Sequence, residues 1–270
     1  MTAILSRTMF SLLVVAGLCS VGVAADAVTD RLEDSPRHYE WVEVKTPEGR
    51  TVKCWVVFPE VSEPATAVVV IHENRGLNDW ARSVTDQVAE AGYVAIAPDL
   101  LSGTGPDGGG TDSFASDDDA RTGIGRLPPE QVTGDLTAVV AHAKTIESAN
   151  GKVAVAGFCW GGGQAFRHAC SGDEIAAAFV FYGSAPDDET LKKSSAPVYG
   201  FYGGNDFRIT SQVPRVKKTM DQLGHDYEPI TYAGAGHGFL RSGEMEDASE
   251  ADVKGREAAW KRWKEILAKL

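Results

Sequence analysis

The chain alternates between short apolar runs and segments in which apolar and polar residues recur with helical spacing. Apolar residues are nearly continuous over residues 65–73, 93–100, 152–159, 176–184 and 197–206. Runs of this length and composition are typical of strands buried on both faces of a sheet. Helical spacing occupies the intervening residues 79–92, 128–148 and 211–224. This alternation of strand and helix predicts a doubly wound, mostly parallel sheet flanked by helices.

The segments before and after this alternating region show other hydrophobic patterns. Residues 39–58 alternate around Pro47 and Gly49, which predicts an N-terminal β-hairpin. The last segment, residues 250–270, places one apolar stripe on a helix, formed by Ala259, Trp260, Trp263, Ile266 and Leu267. Such a stripe indicates a helix that packs on the sheet.

Residues 101–127 break the alternation, because they are rich in Gly and Asp and show no periodicity. We expect a long irregular loop that acts as a lid or a binding loop, or is simply mobile. The acidic run Asp117, Asp118 and Asp119 lacks the ligand spacing and the terminal Glu of a calcium-binding loop. We interpret it as a solvated acidic surface.

The N-terminus has the pattern of a secretory signal peptide. Arg7 precedes an apolar run over residues 9–24, and small residues stand just before Asp26. We predict a signal peptide over residues 1–25, a single domain over residues 26–270, and an exported protein that is periplasmic or secreted. The apolar run is shorter than the roughly 20 residues that a spanning helix needs, so we expect no stable membrane insertion once the signal is removed.

The net charge of the chain limits the class of partner that it can bind. The net charge of −12 repels phosphate backbones and anionic lipid, which excludes nucleic acid as a partner.

The mature chain holds three cysteines, Cys54, Cys159 and Cys170, so at least one thiol stays unpaired. Cys54 and Cys170 either pair with each other or are both buried as small apolar residues, and we favour burial.

The sequence around Cys159 suggests a nucleophile. Gly157, Cys159 and Gly161 stand between a predicted strand and a predicted helix. This matches the G-x-S-x-G nucleophile elbow of α/β-hydrolases with sulfur in place of oxygen. The start of the following helix offers backbone N–H groups and a positive dipole end, which favour a thiolate.

A cysteine nucleophile needs a base, and the base needs an acid that orients it. In α/β-hydrolases the chain order is nucleophile, acid and histidine, each after a strand. Asp206 ends one apolar run, and His237 follows the segment YEPITYAGAG, so both fit. Asp99 precedes Cys159 and has the wrong order, so we expect it to cap or brace a loop. The histidines that we interpret as surface or packing residues are His38, His142, His168 and His225.

Acyl transfer also needs hydrogen-bond donors that stabilise the negatively charged oxygen of the tetrahedral intermediate, the oxyanion. We predict the backbone N–H groups of Trp160, directly after the nucleophile, and of Asn74, in the segment HENRG. Neighbouring His72 has no His or Cys at metal-site spacing, so no metal is expected. The chemistry needs no organic cofactor.

From about residue 40 to the C-terminus, the chain resembles the dienelactone hydrolase family of α/β-hydrolases, also called carboxymethylenebutenolidases. The resemblance rests on the motifs HENRGLN, GYVAIAPDL, GFCWGG, GGND and GAGHGF in this order. It implies a Cys159, His237 and Asp206 triad that cleaves an ester or enol lactone.

The resemblance also implies roles around the nucleophile. Glu73 is similar to the family glutamate that lies against the resting cysteine and takes part in its activation. Arg241 matches one of two arginines that hold the substrate carboxylate. Gly103 stands where the second arginine is expected, and Arg75, Arg121 and Arg126 are candidates to replace it, although a solvated surface position is the alternative for each.

We therefore expect a monomeric hydrolase of a small-molecule ester or lactone that works through an acyl-enzyme. A broad-specificity carboxylesterase or thioesterase with the same site is an alternative. An alternative of another class is an exported binding protein on a hydrolase scaffold, with an idle thiol.

Overall fold

An eight-stranded sheet forms the centre of the protein. The computed structural model describes residues 23–270, and their side chains from residue 28 onwards. The strands are β1 Tyr39–Lys45, β2 Thr51–Val57, β3 Ala65–Ile71, β4 Val94–Pro98, β5 Ala149–Phe158, β6 Ala177–Phe181, β7 Val198–Gly203 and β8 Tyr227–Tyr232. They lie in the order β1-β2-β4-β3-β5-β6-β7-β8. The pairs β1/β2 and β2/β4 are antiparallel and the others are parallel.

Helices cover both faces of the sheet. Their bounds are α1 Val23–Glu33, α2 Asp79–Glu90, α3 Asp117–Ile124, α4 Pro129–Ala143, α5 Trp160–His168, α6 Asp188–Leu191, α7 Phe207–Thr210, α8 Val213–Leu223, α9 Phe239–Ser242 and α10 Glu250–Leu267. On β3, Val69 and Ile71 share an apolar cluster with α4, α5 and α8, whereas Val68 and Val70 share the opposite cluster with α2 and α10. Successive side chains of a strand point to opposite faces, so the continuous apolar run supplies both layers.

The predicted mostly parallel sheet flanked by helices is confirmed, and so is the hairpin, whose strands are β1 and β2. In α10, Ala259, Trp263 and Leu267 are buried against the sheet. Cys54 and Cys170 are both free and buried, so of the two alternatives for these thiols the packing role is correct.

The predicted irregular loop over residues 101–127 is partly wrong. It contains two short 3₁₀ turns and the helix α3. The side chain of Ser116 caps α3 by accepting a hydrogen bond from the backbone N–H of Asp119, and the acidic run fills the first helical turn. Negative charge there is stabilised by the helix dipole. The short apolar side of α3, Ala120 and Ile124, packs on Leu101 and has too few residues to give a periodic signal.

The predicted signal peptide lies outside the described residues except for residues 23–25, which begin α1. Among residues 23–270, no helix is long and apolar enough to cross a bilayer.

Candidate active site

Cys159 stands at a sharp turn between β5 and α5. Its backbone has φ 54° and ψ −114°, a conformation that costs a non-glycine residue free energy. The flanking glycines make the turn possible: a Cβ on Gly157 would lie 2.0 Å from Gly161 O, and one on Gly161 would lie 2.3 Å from His72 O. Both distances are shorter than any van der Waals contact. The tight turn therefore explains the small residues that surround the cysteine.

The structure brings Cys159, His237 and Asp206 together in one chain of contacts. Nε2 of His237 lies 3.1 Å from Sγ of Cys159, and Nδ1 of His237 lies 2.5 Å from Oδ2 of Asp206. Asp206 follows β7 and His237 follows β8. These two strands are parallel neighbours, and their following loops are joined by a hydrogen bond from the N–H of Asn205 to the carbonyl of Ala235. Parallel pairing thus places acid and histidine at one sheet edge.

Opposing influences act on the Cys159 thiol. Burial raises its pKa, and the negative charge of Glu73 raises it further. Hydrogen bonds from the backbone N–H groups of Trp160 and Asn74, together with the positive charge of Arg208, lower it. The raising influences are larger, so the net shift favours the thiol over the thiolate. These two amides are the ones predicted as oxyanion donors.

Glu73 lies beside the site but contacts other side chains. Its Oε2 accepts a hydrogen bond from Nε of Arg241 over 3.2 Å, and its Oε1 accepts one from the hydroxyl of Tyr182 over 3.3 Å. The side-chain hydrogen bond of the Cys159 sulfur is with His237 instead. Arg241, predicted to hold substrate, is therefore engaged by Glu73 in this structure.

A cavity of about 440 Å³ opens above the sulfur. Its lining includes the predicted residues Cys159, His237, Asn74 and Trp160, and also Arg121, Tyr182 and Arg208.

Arg121 comes from α3 and forms an ion pair with Asp118. The other two candidates for a second substrate arginine lie elsewhere. Arg75 pairs with Asp117, and Arg126 lines a separate cavity of about 510 Å³. Gly103 does not line either cavity.

Sequence reasoning missed two residues of the site, Tyr182 and Arg208. Tyr182 directly follows β6 and is fully buried, and its ring forms a T-shaped contact with the His237 ring, with centroids 5.2 Å apart. Burial, followed by the charge of Glu73, raises its pKa well above the usual value, so the phenol stays protonated. Arg208 lies in α7 just after Asp206, and within residues 28–270 it has no carboxylate partner. The available signal was position, since both residues follow strands at the carboxyl edge of the sheet.

Within the part of the chain that the structure describes, no group of three or more His, Cys, Asp or Glu side chains could hold a metal ion.

The nucleophile elbow, the strand order and the position of Asp206 and His237 after successive strands define an α/β-hydrolase. The model of the dienelactone hydrolase family matches residues 52–270. The chain belongs to the dienelactone hydrolase family, and its activity is that of a carboxylic ester hydrolase.

Two curated relatives are similar over most of their length. The chain is 28% identical to a putative carboxymethylenebutenolidase of Escherichia coli K12, over 71% of this chain and 74% of that protein. It is 28% identical to the carboxymethylenebutenolidase of Pseudomonas putida, over 75% and 86%. The crystal structure of a putative dienelactone hydrolase from Klebsiella pneumoniae superimposes with a TM-score of 0.73 at 22% identity, over 86% of this chain and all of that one. That last likeness concerns the fold.

Proposed function

We propose that the protein hydrolyses an ester or enol lactone through a Cys159, His237 and Asp206 triad and an acyl-enzyme. The observation that carries the proposal is the continuous chain of contacts from Asp206 through His237 to the Cys159 sulfur. The distances are those of a nucleophile within reach of its base, and of a base oriented by an acid.

In the first half of the reaction, Nε2 of His237 accepts the proton of the Cys159 thiol as Sγ attacks the substrate carbonyl carbon. Asp206 stabilises the imidazolium that forms. When the tetrahedral intermediate collapses, the bond to the leaving oxygen breaks and His237 returns the proton to that oxygen. The acyl group then remains on sulfur as a thioester.

In the second half, His237 takes a proton from water while the water oxygen attacks the thioester carbonyl. Collapse of this intermediate breaks the carbon–sulfur bond, releases the acid and leaves the proton with Cys159. In both halves the negative oxygen accepts hydrogen bonds from the N–H groups of Trp160 and Asn74. Both residues line the cavity with Cys159, which supports this assignment.

The substrate is proposed to carry an anionic group that Arg208 contacts. Arg208 lines the cavity with Cys159, whereas Arg241 is held by Glu73 and Gly103 has no side chain to offer. The alternative with the same site is a broad-specificity carboxylesterase or thioesterase, which the lack of an arginine at Gly103 favours.

One experiment separates these substrates. We expect Arg208→Gln to raise KM about tenfold or more for esters with a carboxylate on the acyl part and to leave KM for matched neutral esters within about twofold. Arg215→Gln, which changes an exposed side chain of α8, is the matched control. Equal effects on both ester series, together with turnover of acyl thioesters, support the broad enzyme.

The triad itself is tested with the mature protein and p-nitrophenyl acetate. Cys159→Ala is expected to abolish turnover while the protein keeps its melting temperature. Unchanged turnover in this variant overturns the proposed function. Alkylation by iodoacetamide that is no faster at Cys159 than at buried Cys54 and Cys170 supports instead a binding protein with an idle thiol.

We also propose that residues 1–25 direct export. The test is the N-terminal sequence and cellular fraction of the full chain expressed in a Gram-negative host. A protein that stays cytoplasmic with Met1 intact contradicts it.

A further inference from the structure

His72 stands two residues before Asn74, and none of the catalytic steps above uses it. It directly follows β3 and is completely buried. Its ring stacks on the indole of Trp160, with centroids 5.6 Å apart and planes 13° from parallel. The ring therefore touches the residue that carries the first proposed oxyanion donor.

The hydrogen bonds of the ring define its tautomer. The backbone N–H of Leu100 donates to Nε2 over 3.4 Å, so Nε2 carries no proton. Nδ1 then carries the proton and donates it to the carbonyl oxygen of Glu73 over 2.7 Å. Burial lowers the pKa of His72, which is consistent with a neutral ring.

The bond to Glu73 O has a consequence for Asn74. The carbonyl of Glu73 and the N–H of Asn74 belong to the same peptide group, and every peptide bond among the described residues is trans. In a planar trans peptide the C=O and N–H point in opposite directions. A hydrogen bond that holds the carbonyl on one side therefore sets the direction of the N–H on the other, and Asn74 lines the cavity that also contains the Cys159 sulfur.

We infer that His72 is a positioning residue that orients the Glu73–Asn74 peptide so that its N–H is aimed at the oxyanion. The inference rests on the proposed function, since it assigns the device that holds one of the two donors. A donor fixed before the reaction stabilises the transition state without reorganisation, and it contributes little to binding the ground state. The expected signature is a loss in kcat with an unchanged KM.

Two substitutions of His72 with side chains of similar shape isolate its hydrogen bond to the carbonyl oxygen of Glu73. His72→Asn places an amide N–H close to the position of Nδ1, whereas His72→Leu has the same branched shape and no donor. Both lose the ring that stacks on Trp160, so their difference reports the donor to Glu73 O alone. We expect kcat for p-nitrophenyl acetate to be at least about tenfold lower in the Leu variant than in the Asn variant, with KM within about twofold.

Three controls accompany this pair. The same two substitutions at His142, on α4 outside the cavity, are expected to leave kcat unchanged. The limiting rate of iodoacetamide alkylation at high pH, which needs the thiolate but no oxyanion donor, is expected to agree within about threefold between the His72 variants. Thermal unfolding of both checks that the elbow is intact.

The native protein provides a measurement that does not depend on the folding of any variant. The ¹⁵N chemical shifts of His72 are expected to show the Nδ1–H tautomer across the pH range of activity, and the Nε2–H tautomer overturns the inference. Equal kcat for the Asn and Leu variants also overturns it. If Cys159→Ala has no activity in that case, the proposed function stands and only the role of His72 falls.

Discussion

Glu73 accepts a hydrogen bond from Arg241 while its negative charge raises the pKa of the thiol that we propose as the nucleophile. Glu73 is only 8% exposed, so solvent screens this charge poorly. Burial and this negative charge together raise the pKa of Cys159, which favours the protonated sulfur. The reactivity of the thiol therefore depends on a residue that makes no hydrogen bond to it.

Removing the charge of Glu73 is expected to lower the pKa of Cys159. A nearby negative charge disfavours the thiolate, so Glu73→Gln, which keeps the size of the side chain, favours ionisation. The midpoint of the pH profile for iodoacetamide alkylation should move to lower pH. Glu130→Gln, exposed on α4, should leave it unchanged, and a midpoint that stays or rises in Glu73→Gln contradicts the electrostatic role.

Replacing Asp206 by Asn is expected to reduce kcat on the order of 10³-fold. The neutral amide cannot stabilise the imidazolium of His237, and it presents a competing donor to Nδ1. Steady-state hydrolysis of p-nitrophenyl acetate measures the effect. The control Asp188→Asn changes an exposed carboxylate in the first turn of α6 and should retain full activity. A loss below about tenfold would mean that another group orients His237.

The backbone at Cys159 is expected to be more stable with glycine than with alanine. Its φ of 54° is strained for a residue with a Cβ, and both Cys159→Gly and Cys159→Ala lack the thiol. We expect the Gly variant to have the higher free energy of unfolding in urea, by about 1 kcal/mol, although glycine gains more entropy in the unfolded chain. An Ala variant of equal or greater stability would show that this turn stores no strain.

Asp99 is expected to matter for stability, as the brace that its sequence position suggested. Its carboxylate accepts hydrogen bonds from the N–H and hydroxyl of Thr111 and from the N–H of Leu101, all within a buried environment. Thr111 in turn accepts a hydrogen bond from the N–H of Leu77, just beyond the Asn74 segment.

Asp99→Ala leaves these donors without partners and should lower the free energy of unfolding by roughly 2–4 kcal/mol. Denaturant unfolding is the measurement, and Asp112→Ala, exposed on the same segment, is the control. An Asp99→Ala variant as stable as the native protein would argue that water replaces the carboxylate.

Much of the architecture could be predicted because buried parallel strands have a recognisable sequence pattern. A strand covered on both faces must be apolar at every position, so β3, β4 and β6 stand out in the sequence. The site could be predicted in outline for a related reason. Parallel strands place their carboxyl ends at one edge, so Cys159, Asp206 and His237 were expected to meet there.

The helix α3 was missed because its apolar side has only two buried residues, and its stability comes from the Ser116 cap and the dipole rather than from a periodic stripe. Arg208 was missed because the local sequence of an arginine after a strand does not show whether its side chain is solvated or lines a cavity. Export and the signal peptide stay predictions of the sequence.

The sequence by itself determined the order of strands and helices, the tight glycine turn at Cys159, and the order of nucleophile, acid and histidine. These are local properties, set by hydrophobic periodicity and by backbone sterics. Only the tertiary structure decided that Arg241 pairs with Glu73, that Arg208 lines the cavity, and that the His72 ring hydrogen-bonds the carbonyl of Glu73. Those relationships join segments far apart in the chain or depend on side-chain directions, and they are selected by packing, burial and charge after the sheet has formed.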